Sequence, residues 1–265
     1  MRYLPGLMTA IAVTGLSALA LPTSALAQQG PQGTAVPRQQ TLSQTQIDKI
    51  VTELKVGIQS GNVDRVAATL SGDIIKNPQV ARLLAQTLGD SVNTRGIAFV
   101  TSVVELAAGR ISGGMTGAAS IAAMQQFAGG VSLGVARTNP GQAAQMVQSV
   151  TSSAVSGGSK IESKVGEMAR IVASGVVEAI VTGNTSINVA SIAEIVRLGV
   201  SQGASKIVGS QVVVNVLATD EKPVSDVVIT RVDGKVLDKG RDLNFITVIN
   251  YRPVETKPQP QPSPS

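Results

Sequence analysis

Apolar residues recur every three to four positions between residues 42 and 208, which is the spacing of helices that bury one face. Start signals divide this region into separate helices. Ser43 and Gln46 have the spacing of a capping box, and Asn77-Pro78 and Asn139-Pro140 each place a capping residue before a proline. The pattern predicts an α-helical domain over 42–208.

Beyond the helical region the apolar period changes to that of a β-strand. Valines alternate with other residues from Val212 to Val216, and Asp233-Gly234 lies between later apolar runs as a hairpin signal. We therefore predict a small antiparallel β-element over 211–252 that folds apart from the helices. The predicted fold class is mainly α: a multi-helix body of helical hairpins packed through small residues, followed by this β-element.

Weak internal similarity indicates that hairpins are reused. Aligning Pro78 with Pro140 pairs several further residues of similar type, and the Ala-Ser-Ile-Ala run of 119–122 recurs at 190–193. Because the spacings of these matches are irregular, we predict repeated helical hairpins rather than a strict solenoid.

The first 27 residues have the three parts of a Sec signal peptide. Arg2 is the positive start, Leu4 to Leu21 form the apolar segment, and Ala25 to Ala27 form a cleavage site of small residues. An uncleaved membrane anchor is the alternative, but prolines interrupt the apolar segment. We expect cleavage after Ala27 and export to the periplasm or the extracellular space.

Two polar segments flank the predicted domains. Residues 28–41 are rich in Gln, Gly and Pro, which is typical of a flexible linker. Residues 253–265 are rich in proline, which excludes a helix or a central strand. We predict that this last segment is a disordered, Pro-rich tail.

The composition excludes the commonest catalytic chemistries. The 265 residues contain no Cys and no His, so the chain has no thiolate, imidazole base, disulfide or usual zinc site. The runs 130–134 and 199–203 match the G-x-S-x-G elbow of hydrolases, but no histidine can activate the serine and the surrounding pattern is helical. We predict no enzymatic activity, no catalytic residue, no cofactor and no metal site.

Glycines at intervals of four are the candidate functional residues. They form three groups: Gly109, Gly113 and Gly117; Gly130 and Gly134; and Gly199 and Gly203. Positions four apart lie on one helix face, and glycines there let another backbone approach closely. We predict that these faces mediate helix packing and assembly of the chain with itself. The alternative is that Gly113-Gly114 and Gly129-Gly130 break helices.

Residues 111–136 contain no charged side chain. A membrane span is one interpretation, but glutamines, hydroxyls and glycines lower the hydropathy of the segment, so a buried helical hairpin is favoured. Contact with a membrane is left open but is not favoured.

Together these features predict an exported, non-enzymatic structural protein of the bacterial cell envelope or extracellular space that forms a homo-oligomer. The alternative is a membrane-active or pore-forming protein that uses residues 97–136. The net charge of +5 attracts anionic envelope polymers, and other envelope proteins are further candidate partners. We exclude nucleic acid, because the bases form no stripe and the few aromatic residues cannot build a stacking surface.

Overall fold

The computed structural model describes residues 42–219 and 222–231. This part of the chain is mostly helical and ends in an antiparallel pair of strands, which confirms the mainly α fold class. The helices are α1 (Gln44–Ser60), α2 (Val63–Lys76), α3 (Ala81–Asp90), α4 (Val92–Gly114), α5 (Gly117–Thr138), α6 (Ala143–Ser159), α7 (Val165–Thr182) and α8 (Ile192–Val208). The strands are β1 (Val212–Thr219) and β2 (Lys222–Arg231). The predicted signal peptide, linker, tail and remaining part of the β-element lie outside the described residues.

The first two helices begin at side-chain caps. Ser43 Oγ accepts a hydrogen bond from the Gln46 N–H at 3.3 Å, and Gln46 Oε1 accepts one from the Ser43 N–H at 2.8 Å, which confirms the capping box. Asn62 Oδ1 accepts a hydrogen bond from the Arg65 N–H at 2.9 Å. These bonds satisfy N–H groups that the first helical turn leaves free, and so fix where α1 and α2 start.

Four later helices begin with a short 3-10 turn. Before α3 and α6 the turn opens with a proline, and the backbone oxygens of Asn77 and Asn139 accept hydrogen bonds from the N–H groups of Val80 and Gln142. The prolines start these helices as predicted, but the asparagine side chains make no capping bond, so that part of the prediction is wrong. The same turn precedes α7 and α8 without a proline.

The helices form two layers, in which each helix packs against the helix two places further along the chain. Helices α2, α4, α6 and α8 make one layer, and α3, α5 and α7 make the other. Neighbours within a layer run parallel, because successive turns face each other in the same order: Gly199 and Gly203 of α8 lie against Gln148 and Ser152 of α6. The described helices therefore form a stack of helical hairpins.

The stack has a more regular step than the sequence indicated. At four interfaces the facing residues lie 48 to 52 positions apart. The pairs are Arg82 with Gly130, Gln125 with Gly175, Glu105 with Gly157, and Gln148 with Gly199. Hairpins are repeated, but the alignment of Pro78 with Pro140 does not follow this step, because it relates α3 to α6 in the other layer; the two positions share their proline-opened 3-10 turn. The alignment of 119–122 with 190–193 fails for the same reason, since it joins α5 to α8.

Helices α5 and α6 lie at the centre of the stack. Every residue in 127–136 of α5 and in 150–159 of α6 is buried. Each of these helices packs against two neighbours in its own layer and against the other layer. A helix that is covered on all sides needs no polar face, which explains why both segments lack charged side chains.

The two ends of the stack are covered in different ways. At the first end, α1 packs on α2 and α3 and buries Leu54 and Ile58, while its other face is polar. At the second end, β1 packs on α8 and β2 packs on α7. Val212 and Val214 of β1 belong to the same hydrophobic cluster as the helices, so the first strand continues the helical core.

The two strands pair antiparallel over their described residues. Val212 lies opposite Arg231, and Thr219 lies opposite Lys222. This hairpin therefore precedes the one that was predicted at Asp233-Gly234, which lies outside the described residues.

We predict that Val214→Ala lowers the melting temperature of the whole helical body. The residue is 3% exposed, and removing its two methyl groups costs about 2 kcal/mol. The matched control is Asn215→Ala at the exposed neighbouring position, which should change stability by less than about 0.5 kcal/mol. Thermal unfolding followed by helical circular dichroism measures both changes. An unaltered helical transition in Val214→Ala would show that the hairpin unfolds independently.

Candidate functional site

Glycines occupy the points of closest approach between α3 and α5. A Cβ atom built on Gly130 would lie 2.5 Å from Arg82 O, and one on Gly134 would lie 2.6 Å from Gln86 O. Both distances are too short for real atoms, so neither glycine accepts a larger residue unless the helices separate. A Cβ on Gly89 of α3 would likewise overlap the backbone of α5.

The same arrangement joins α6 to α8. A Cβ on Gly199 would lie 2.8 Å from Gln148 O, and one on Gly203 would lie 2.5 Å from Ser152 O. Four of the predicted glycines, two on α5 and two on α8, therefore face a carbonyl group of the adjacent parallel helix.

Two further interfaces, α4–α6 and α5–α7, use pairs of facing glycines. Gly109 of α4 lies against Gly157 of α6, with 3.0 Å between the Gly109 Cβ position and Gly157 O. Gly129 of α5 lies against Gly175 of α7, and a Cβ on either would overlap the other helix. Because Gly129 and Gly130 both lie inside α5, the alternative that this pair breaks a helix is wrong.

The sequence analysis did not identify the packing role of Gly89, Gly129, Gly157 and Gly175. It searched for glycines four positions apart, and these four glycines do not belong to such a group. The signal that identifies them is longer in range. In three contacting pairs the second glycine follows the first by 45 to 48 positions: Gly89 and Gly134, Gly109 and Gly157, and Gly129 and Gly175. This spacing is close to the step of the stack, so a search for repeats of that length would have found them.

The predicted run of Gly109, Gly113 and Gly117 does not form one helix face. Helix α4 ends at Gly114, and Gly117 has a φ of +68°, a left-handed conformation that favours glycine. Gly113 is exposed, and the nearest atom to its Cβ position is Lys160 Nζ at 3.6 Å. Only Gly109 of this group meets another helix backbone, so the three glycines are not one packing surface.

These contacts all lie within one chain. The glycine faces of α5 and α8 are covered by α3 and α6, and Gly109 is covered by α6. A second copy can reach these faces only if the stack opens. The geometry therefore supports a role in packing the chain itself, and leaves no free glycine face on α5 or α8 for another subunit.

Arginines link the helices at the rim of the stack. Arg82 of α3 donates to Glu178 Oε1 at 3.3 Å and to Thr182 Oγ1 at 3.4 Å on α7. Helices α3 and α7 pack on opposite sides of α5. The close packing at the glycines of α5 lets the bond from Arg82 to Glu178 reach across α5. Arg137 donates to Gly183 O through Nε at 3.0 Å and Nη2 at 2.6 Å, which satisfies a carbonyl group at the end of α7.

Among the described residues, the carboxyl groups of Asp73 and Asp90 have raised pKa values. Partial burial raises the pKa of Asp73, and the nearby charge of Lys76 opposes that change. Partial burial also raises the pKa of Asp90. A hydrogen bond from Thr138 and the charge of Arg137 lower this pKa, but by less than burial raises it. A raised pKa means that the ionised form of each group is less favourable in the folded state than in the unfolded state.

Neither G-x-S-x-G run forms a nucleophile elbow. Ser132 lies in the middle of α5, is buried, and has no hydrogen-bond partner among the described residues. Ser201 lies within α8 and donates to Val212 O at 3.3 Å. In hydrolases this serine stands at a turn from a strand into a helix, so these two sites lack the required geometry. The described residues also contain no group of three or more acidic, His or Cys side chains arranged to hold a metal ion.

The charge-free segment 111–136 divides into two parts. Residues 123–124 and 127–136 are buried between α3, α7 and α6, whereas 116–119 at the start of α5 are exposed. Among the described helices, Val92–Gly114 is long and apolar enough to cross a membrane by length and composition alone. Core helices pass the same test, and this helix packs its buried side against α2 and α6 and is interrupted at Gly96.

No protein-family model, no curated protein and no solved structure matches this chain.

We predict that Gly157→Ala destabilises the protein while Gly72→Ala stabilises it. A Cβ at position 157 overlaps the backbone of Glu105, and relieving such a clash typically costs about 1–3 kcal/mol. Gly72 lies inside α2 with no atom within 4 Å of its Cβ position, so alanine should gain about 0.8–1 kcal/mol from helix propensity. Denaturant unfolding of both variants tests the assignment. A Gly157→Ala variant with a higher free energy of unfolding than the parent chain would contradict the close contact.

We predict that Asp73→Asn stabilises the protein at neutral pH. The raised pKa of Asp73 means that its ionised form opposes folding and its protonated form favours folding. The stabilisation by the protonated form is complete below the unfolded-state pKa of 3.8, and it is lost as the pH rises through the folded-state pKa. The variant should therefore melt higher than the parent chain at pH 7, and the difference should vanish below pH 3.8. Melting curves across this range provide the measurement. A difference that persists in acid would indicate a cause other than the charge.

Proposed function

We propose that the chain is an exported, non-enzymatic structural protein of the bacterial cell envelope or extracellular space, and that it assembles with itself. The observation that carries this proposal is the glycine-packed, two-layered stack. Stacked helical hairpins contact mainly their neighbours along the chain, and they offer broad outer surfaces to partners. Such a body suits a structural subunit.

Export is supported by the N-terminal sequence. Residues 1–27 have the charged, apolar and small-residue parts of a signal peptide. The absence of Cys and His from the sequence supports a structural role, because it removes the usual nucleophile and base.

Self-association requires surfaces other than the glycine faces of α5 and α8. Those faces already contact helices of the same chain. The outer surface of the described residues exposes large apolar side chains, among them Val56, Leu83 and Leu106. Such residues contribute apolar area to an interface between copies, and a net charge of +5 favours anionic envelope polymers as further partners.

The alternative function is that of a membrane-active or pore-forming protein that uses residues 97–136. The length and apolar character of α4 favour it. The position of α5 opposes it, because inserting this helix would separate Gly129 from Gly175 and Gly130 from Arg82. Leakage of dye from liposomes by the purified chain would favour this alternative over the structural role.

We predict that cells yield a processed chain that begins at Gln28 and is larger than a monomer in solution. N-terminal sequencing of the periplasmic and extracellular fractions tests the first part, and size-exclusion chromatography with light scattering tests the second. Retention of Met1 would contradict export. A monomeric mass over the whole accessible range of concentration would contradict self-association while leaving export intact.

A further inference from the structure

Strand β1 has an edge that no strand covers in the part of the chain that the structure describes. It pairs with β2 on one side, and the sheet of the described residues has no third strand. The strand itself is held in place, because Val212 and Val214 are buried in the helical core and Ser201 of α8 donates to Val212 O at 3.3 Å. Beyond Val212, the backbone groups on the other side of β1 therefore form a fixed edge to which a further strand can pair.

The sequence of β1 is typical of a strand that is covered on both edges. Residues 211–219 contain no charged residue and no proline. Natural sheets protect their open edges with charges, prolines and short strands. The sequence of β2 has such residues, namely Lys222, Pro223 and Arg231, whereas that of β1 has none. We therefore expect another segment to lie beside β1.

Two strands are also too narrow for the two helices on which they pack. Strand β1 packs on α8 and β2 packs on α7. Packed helices lie about 8–10 Å apart and paired strands about 4.8 Å apart, so two helices have about the width of four strands. On α8, Leu198 lies one turn before Ser201 and away from the fully buried Val200, and it is only partly buried. One further strand fits beside β1 and another beside β2.

The chain after β2 contains two segments that differ in charge. Residues 235–242 contain five charged residues, whereas residues 243–250 contain none. Asp233-Gly234 predicts a reversal directly after β2, and β1 already occupies one edge of β2. The charged segment is therefore expected at the far edge of β2, where its charges protect the sheet. The uncharged segment is left for the edge of β1.

The chain is long enough for this arrangement. Residues 232–242 extend to about 36 Å, at about 3.3 Å for each residue, which allows a short return along β2 and a crossing of three strand spacings of about 4.8 Å each. The resulting order places a fourth strand beside the first, as in a Greek key. Pro253 follows the uncharged segment closely, and a proline limits pairing at the new edge.

We propose that residues 243–250 lie beside β1 and close its free edge within the same chain. The hairpin then becomes the centre of a four-stranded sheet that covers α7 and α8. The closed edge keeps a second copy from pairing with β1, so assembly of the chain with itself uses other surfaces of the stack. Release of the segment exposes the edge and permits pairing between copies. This inference does not depend on self-association.

Disulfide trapping in the full chain tests the proposal, because the sequence has no Cys that would interfere. Asn215→Cys places a thiol at an exposed position of β1, and a second cysteine replaces each residue from 245 to 249 in turn. We expect a disulfide within one chain at alternate positions, since neighbouring strands bring Cβ atoms within reach. Val228→Cys is the matched control. It lies opposite Asn215 on β2, one strand further from the segment, and should form no disulfide with the same positions.

The other results of this experiment contradict the proposal. Disulfides formed only with Val228→Cys would place the segment beyond β2. Disulfides between two chains, found when variants with one cysteine each are mixed, would place a second copy on the edge. Disulfides with neither position, in variants that keep the helical circular dichroism of the parent chain, would show that the segment does not join the sheet.

Hydrogen exchange provides a second readout without cysteines. Because N–H groups alternate in direction along a strand, one of Thr247→Pro and Val248→Pro removes a donor that faces β1. In that variant the amides of β1 should exchange about two- to tenfold faster, as expected for losing one hydrogen bond. Thr256→Pro in the tail is the matched control and should leave them unchanged. Unchanged exchange in both test variants would overturn the proposal. Sizing of the parent chain reports on self-association separately, so failure of the two proposals can be distinguished.

Discussion

The close approach of parallel helix backbones is the constraint on which the rest of this structure depends. At each of four interfaces a carbonyl group of one helix lies against a glycine of the helix two places along. No Cβ fits there, so residue size at these few positions sets the separation of the helices. Each glycine also costs helix stability, by about 1 kcal/mol relative to alanine, so the interhelical contacts must compensate for that loss.

Close packing in turn decides where polar groups can lie. The central segments 127–136 and 150–159 are covered on all sides and carry no charge. Two hydroxyl groups there bond to their own helix: Thr151 donates to Val147 O at 2.8 Å and Ser159 donates to Val155 O at 2.6 Å, whereas Ser132 has no partner among the described residues. Charged side chains are displaced to the rim, where Arg82 and Arg137 connect one helix to another.

The packing of the helices decides which surfaces of the stack remain free to bind a partner. Small-residue faces are often taken as sites for another helix, and here that helix belongs to the same chain. The structural role that we propose must therefore use the outer surfaces of the stack and its covered ends.

The sequence by itself determined the helical body, the start of α1 and the change from helix to strand near residue 210. These features depend on local signals, namely the capping box at Ser43, the apolar period of 3.6 and the alternation from Val212. It also identified Gly130, Gly134, Gly199 and Gly203 as positions where a backbone comes close. Only the tertiary structure decided which backbone that is. Whether a glycine meets its own chain, a second copy or solvent depends on layer order and on a step of about 50 residues, and spacing within a single helix carries no information about either. For the same reason Gly113 and Gly117 resemble the packing glycines in sequence, although the helix ends between them.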